Sequence, residues 1–155
     1  MNEQKLSFLQ NEVIPLVQKL NGNETGSWGK MNAQQMVEHV TAFFKVSTGK
    51  IQFPLVTPVE HLPKYREFLL SEKEFRPDTK APLEVIGEEA LPLRHENMEA
   101  AVAGLQKSIT EFVDHFKNDP DKKTLHPVFG ELNFEDWVLL HYKHVMHHAK
   151  QFGLM

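Results

Sequence analysis

The sequence predicts an all-α fold: a four-helix bundle with one long crossover between the second and third helices. Three observations point there. Four stretches keep apolar residues at helical spacing, alternating strand-like patterns are weak, and prolines crowd a single central connection. At 155 residues the chain fits one domain, 1–155, long enough to bury a core without disulfides or other staples.

The first helix is predicted over about Glu3 to Leu20, where Leu6, Phe8, Leu9, Val13, Ile14, Leu16, Val17 and Leu20 give a helical stripe. Pro15 inside it kinks the helix or splits it in two. NGNETGSWGK, residues 21–30, reads as a loop from its Gly and Asn content. The second helix starts behind the N-cap Asn32 and runs to about Thr48, before Gly49, burying Met36, Val37, Val40, Phe43 and Phe44. Five of the nine prolines lie between Pro54 and Pro82, within a connection over residues 50–93 that holds a short helical turn near Val59 to Leu70. So long a connection in a compact domain is usually functional or wraps the fold. The third helix is predicted from about Glu96 to Lys117, with Met98, Val102, Leu105, Ile109, Phe112, Val113 and Phe116 on one face. NDPDKKTLHPVFGEL breaks the pattern. The fourth helix begins after Asn133, with Asp136 three residues on, and ends near Phe152.

Composition excludes several classes of function. The formal net charge is −4 and no Lys/Arg run occurs, which argues against a phosphate-tracking surface and a nucleic-acid partner. With no cysteine there is no disulfide, no thiolate metal site and no cysteine nucleophile, so any metal must be held by nitrogen and oxygen. The N-terminus lacks the features of a signal peptide, and no stretch approaches the roughly 18 apolar residues of a membrane span. A cytoplasmic protein without a membrane partner is expected.

Four of the nine histidines stand in the last helix, at 141, 144, 147 and 148. At about 100° per residue, Phe134, Trp137, Val138, Val145 and Phe152 define its apolar stripe. His141 and His148 fall inside that stripe, His144 at its edge, and His147 well round the side, flanking or at the surface. A helix that places polar rings at core positions must satisfy them. His144 and His148, at i and i+4, share one face and suit two Nε2 atoms on one metal; His141 with His144, at i and i+3, is the alternative pair. A third ligand must come from elsewhere, and His39 stands on the second helix at the border of its stripe, beside Met36 and Phe43. Three histidines from two helices make an open, catalytic type of site. The competing reading takes each histidine as a hydrogen-bonded core residue.

The chain resembles the DinB-like superfamily of metalloenzymes, which includes YfiT-type thiol transferases. The resemblance rests on MNAQQMVEHVTAFF after the Trp-Gly loop SWGKMN, on LHPVFGELNFEDW (an HPxFGxL run), and on HVMHHAKQFG (an HxxHHxxQ ending). It implies a four-helix bundle with a long crossover and a divalent metal near one end, held by His39, His144 and His148. It also implies a small-molecule substrate such as a low-molecular-weight thiol, and a homodimer is common among such proteins. The residues by which the thiol transferases bind their particular thiol have no match here.

A three-histidine divalent ion, whether Zn, Ni, Fe or Mn, activates a bound thiol or water, for S-transfer or for hydrolysis. His141 is the candidate catalytic residue, as a partner of the ligands or a proton shuttle, because it shares their face. Gln151 either donates a hydrogen bond near the site or caps exposed surface, the latter being favoured. His126 fixes a turn beside Pro127, Glu38 is solvated, and Trp28 and Trp137 pack. The alternative function is a non-enzymatic helical module whose histidines are structural or vestigial.

Overall fold

The computed structural model describes residues 2–77 and 92–155. It is mostly helical. The first predicted helix is two: α1 (Glu3–Asn11) and α2 (Val13–Val17), so of the two outcomes expected at Pro15 the split is the one found. The loop that follows is closed by a bridge between Thr25 and Asn32. In α3 (Ala33–Ser47), a capping box fixes the start: the Asn32 side chain accepts from the Gln35 N–H, and the Gln35 side chain accepts from the Asn32 N–H. The turn expected near Val59 to Leu70 is a 3-10 turn (Val59–His61) running into α4 (Leu62–Leu70). The rest of the crossover, 78–91, lies outside the described residues. Next come α5 (Met98–Phe116) and α6 (Phe134–Gln151), the latter opened by a capping box between Asn133 and Asp136.

One segment departs from the all-α expectation. Within the stretch that breaks the helical pattern, β1 (Thr124–His126) and β2 (Gly130–Leu132) pair antiparallel. Three-residue strands are too short for a period-two signal. The hairpin is held from several sides. His126 Nδ1 accepts from the Val128 and Phe129 amides, at 3.0 and 3.2 Å, which is the turn-fixing role expected of it. Val56 N–H donates to the Pro127 carbonyl and the Thr57 hydroxyl to the Val128 carbonyl. Thr124 joins three elements: its hydroxyl donates to the Ser47 carbonyl at the end of α3 and accepts from the Trp137 indole at 2.7 Å.

The core lies where α3 packs on α5 and α6, with α1 against α6 and α2 against α5. Phe44, Phe112, Phe116, Trp137, Leu9, Leu105 and Met36 are fully buried there. Among the described residues no helix is long and apolar enough to cross a membrane.

A second face of α6 is covered as well. Asp136 takes a two-pronged contact from Arg66 of α4. Lys143 donates to the Ser71 and Lys73 carbonyls behind α4, with its ammonium over the Phe68 ring. Lys150 pairs with Glu74. These three α6 positions are seven apart, about two helical turns, so they form one line along the helix. The segment from α4 to Phe75 is laid along that line as a strap. Glu38, expected to be solvated, instead accepts from the Arg94 and His95 amides and from the Gln34 side chain, tying the return of the crossover to α3.

Candidate metal centre

Three of the predicted site residues meet. His144 Nε2 stands 3.0 Å from His39 Nε2 and 3.0 Å from His148 Nε2. The ring centroids form a near-equilateral triangle of 4.9, 4.9 and 4.7 Å, with the planes steeply inclined to one another. A group so disposed can hold a metal ion. Ligand nitrogens that share one ion at about 2.0–2.1 Å stand about 3 Å apart, which is the spacing seen. Because α3 packs along α6, the mid-helix His39 faces the His144–His148 pair, which one turn of α6 stacks on a common face.

Hydrogen placement explains why the cluster fits a cation. Gln151 Nε2 donates to the Trp28 carbonyl at 2.7 Å, so its Oε1 is the atom that meets His148 Nδ1 at 2.6 Å. An amide oxygen only accepts, so His148 Nδ1 carries a hydrogen and Nε2 of the neutral ring is a bare lone pair. His144 Nε2 has at most one hydrogen and two nitrogen neighbours at 3.0 Å. That hydrogen serves the contact to His148, and the contact to His39 is then left without one of its own. A positive ion in place of that hydrogen would let all three Nε2 atoms present lone pairs to one point and would satisfy both contacts at once.

Electrostatics keep the rings neutral. Burial first, and then the coulombic effect of His147, pushes His39 down to about 4. Burial, with His148 and His39 following, holds His144 well below its ordinary value. For His148, burial and His39 act the same way, opposed by the Gln151 hydrogen bond. Neutral imidazoles are the form that ligates. His148 is buried, and His39 and His144 are half-buried. Phe43 meets both half-buried members in edge-to-face contacts, with ring centroids 5.3 Å from each.

His141 stands apart from this group. Its ring is stacked at 3.8 Å on Phe44, lies 5.3 Å from Trp137 and meets Phe112 edge-on at 4.8 Å. It is 1% exposed, and its Nε2 has no hydrogen-bond partner. Burial holds it well below the usual imidazole range. These surroundings suit a neutral core ring and not the proton shuttle the sequence suggested.

Two other expectations need correction. His147 is buried, with its ring 5.4 Å from Trp28, 5.8 Å from Phe75 and 5.0 Å from His148. A wheel with one buried stripe puts it at the side; the strap and the Trp28 loop make that side interior too. Gln151 was favoured as a cap on exposed surface, yet it is 2% exposed and touches a member of the triad. Its position three residues after His148 was the available signal, since i and i+3 share a helix face.

A family model described as "Protein of unknown function (DUF1569)" matches residues 2–155. No curated protein and no solved structure matches the chain. With nearly the whole chain matched, including all three converging histidines, this protein belongs to the DUF1569 family.

Proposed function

We propose that this is a cytoplasmic metal-dependent enzyme acting on small molecules, built as a four-helix bundle in which α1 and α2 together make one helix. His39, His144 and His148 hold a divalent ion, Zn, Ni, Fe or Mn. The observation that carries the reading is the pair of 3.0 Å nitrogen contacts meeting at His144, which ring hydrogens alone do not satisfy. The resemblance to the DinB-like metalloenzymes supports the same three residues.

When bound, a divalent ion supplies Lewis-acid chemistry that lowers the pKa of a water or thiol and presents it as a nucleophile at neutral pH. The chain's own contribution is threefold. The three imidazoles give neutral nitrogen donors and, being only three, leave further coordination positions for a water or a thiol. Phe43 shields the His39 and His144 rings with hydrocarbon. Gln151 fixes His148 through its outer nitrogen. Among the described residues the donor set holds three neutral imidazoles and no carboxylate, so no charged ligand among them offsets the ion's positive charge on the bound nucleophile. A low-molecular-weight thiol is the favoured nucleophile by resemblance, with water as the hydrolytic counterpart.

The test uses cobalt(II). Purified chain freed of metal is expected to take up about one ion and to give a visible spectrum from nitrogen ligation. Adding a small thiol is expected to raise a near-ultraviolet charge-transfer band as sulfur joins the ion. Uptake without a thiol band would leave water as the nucleophile. Failure to take up cobalt, zinc or nickel at micromolar protein removes the metal reading altogether.

A further inference from the structure

The C-terminal turn of α6 and the Gly-rich loop before α3 are far apart in sequence, yet they interlock on one residue. Gln151 Nε2 donates to the Trp28 carbonyl, and Ser27 N–H donates to the Gln151 backbone carbonyl at 2.7 Å. The glycines of this loop leave room for that contact. A Cβ on Gly26 would lie 2.7 Å from Gln151 Cγ, and one on Gly29 would lie 2.8 Å from Gln151 Nε2. Gly29 also has φ of +80°, a left-handed backbone that side chains disfavour. The loop is thus moulded to the amide.

The Trp28 carbonyl fixes which way round the amide lies. Turned over, Gln151 would set its oxygen against the Trp28 carbonyl oxygen and its NH2 against His148 Nδ1, losing one good contact and forcing His148 into the opposite tautomer. We propose that Gln151 is the positioning residue of this centre: oriented by the Trp28 carbonyl, it holds His148 as the Nδ1–H tautomer so that Nε2 is always a free donor. The proposal rests on the three-histidine reading above. It assigns a purpose to the loop, which acts on His148 through one intermediary, Gln151. Orientation of a ligand histidine by a hydrogen bond to its other ring nitrogen is a general device, and losing it commonly costs about 10–100-fold in metal affinity.

The experiment reads the tautomer first. In full-length metal-free protein labelled with nitrogen-15 histidine, long-range proton–nitrogen spectra report which ring nitrogen of His148 carries the hydrogen. The wild type is expected to show Nδ1–H. Gln151→Met, which keeps length but removes both the donor and the acceptor, is expected to let the Nε2–H form appear and to weaken cobalt binding by about 10–100-fold. Gly29→Ala pushes on the amide from the loop side and alters no imidazole; it is expected to move the tautomer and the affinity in the same direction. An Nε2–H wild-type His148 overturns the proposal whatever the variants do, as does an unchanged tautomer and affinity in both variants. A wild type that shows Nδ1–H but binds no cobalt or zinc would instead overturn the metal reading and leave the tautomer assignment standing.

Discussion

Replacing His144 by alanine is expected to abolish stoichiometric metal binding while leaving the protein folded. His144 is the hub of the cluster: its Nε2 lies 3.0 Å from both of the other donor nitrogens, and its ring contacts both of theirs. His144→Ala leaves a pair of imidazoles on different helices with no third donor between them. The loss should exceed the roughly 10–100-fold that removing a partner outside the ligand set costs. The fold should survive because the apolar core is built from other residues, with Trp137, Phe44 and Phe112 fully buried in it. His144 is itself only partly buried, so metal-free stability should change by no more than about 1–2 kcal/mol. Competition with a chromogenic chelator, beside a thermal melt of the same metal-free sample, checks both halves. A variant that still binds one ion at near wild-type affinity would show that the donors lie elsewhere.

Acidification should destabilise the metal-free protein strongly between pH 7 and 5, and His126 is the residue on which that is clearest. Burial pushes its imidazole down to about 3, from an ordinary 6.5. A base whose folded pKa is depressed gains its proton more readily when unfolded. Its contribution to stability is therefore complete above pH 6.5 and is lost as pH falls from there towards 3. At about 1.4 kcal/mol per pH unit, His126 alone accounts for about 2 kcal/mol of loss by pH 5. That is a large share of the roughly 5–15 kcal/mol that holds a domain folded. Burial drives His141 in the same direction, so the whole effect should be greater. His126→Asn keeps a side-chain acceptor for the turn amides while removing the titration. Urea denaturation at pH 7 and pH 5 should show the variant losing about 2 kcal/mol less than the wild type. Equal losses in the two proteins would mean that His126 is free to charge in the folded state.

Much of the site was legible in the sequence because it depends on helical periodicity. The spacing of His144 and His148 is a property of any α-helix, and the border position of His39 follows from the residues that share its stripe. N-caps at Asn32 and Asn133 gave helix starts that agree with the structure to a residue or two. Periodicity failed where a helix has two covered faces. The wheel for α6 assigned one interior stripe, whereas Asp136, Lys143 and Lys150 anchor a strap along a second, and His147 lies beneath it. No local pattern announces contacts between a lysine and the backbone of a chain segment some seventy residues earlier. The short β1–β2 hairpin escaped for a related reason, since its stability comes from Thr57, Thr124 and His126 and not from alternation. Gln151 was weighed for a contact near the site, but the surface role was favoured because the backbone carbonyl of Trp28 that orients it has no sequence signature. His141 shares a face with the ligands but not their surroundings: three residues before His144, about 4.5 Å along α6, its neighbours are Phe44, Phe112 and Trp137.

X-ray absorption at the metal edge, on protein loaded with one equivalent of zinc or cobalt, tests the central claim most directly. Three imidazoles at about 2.0–2.1 Å are expected, with their outer-ring scattering resolved and one or more light-atom ligands completing the shell. His39→Ala, His144→Ala and His148→Ala should each remove one imidazole or the ion itself. A shell of fewer than three imidazoles in the wild type, or one dominated by carboxylate oxygen, would contradict the account.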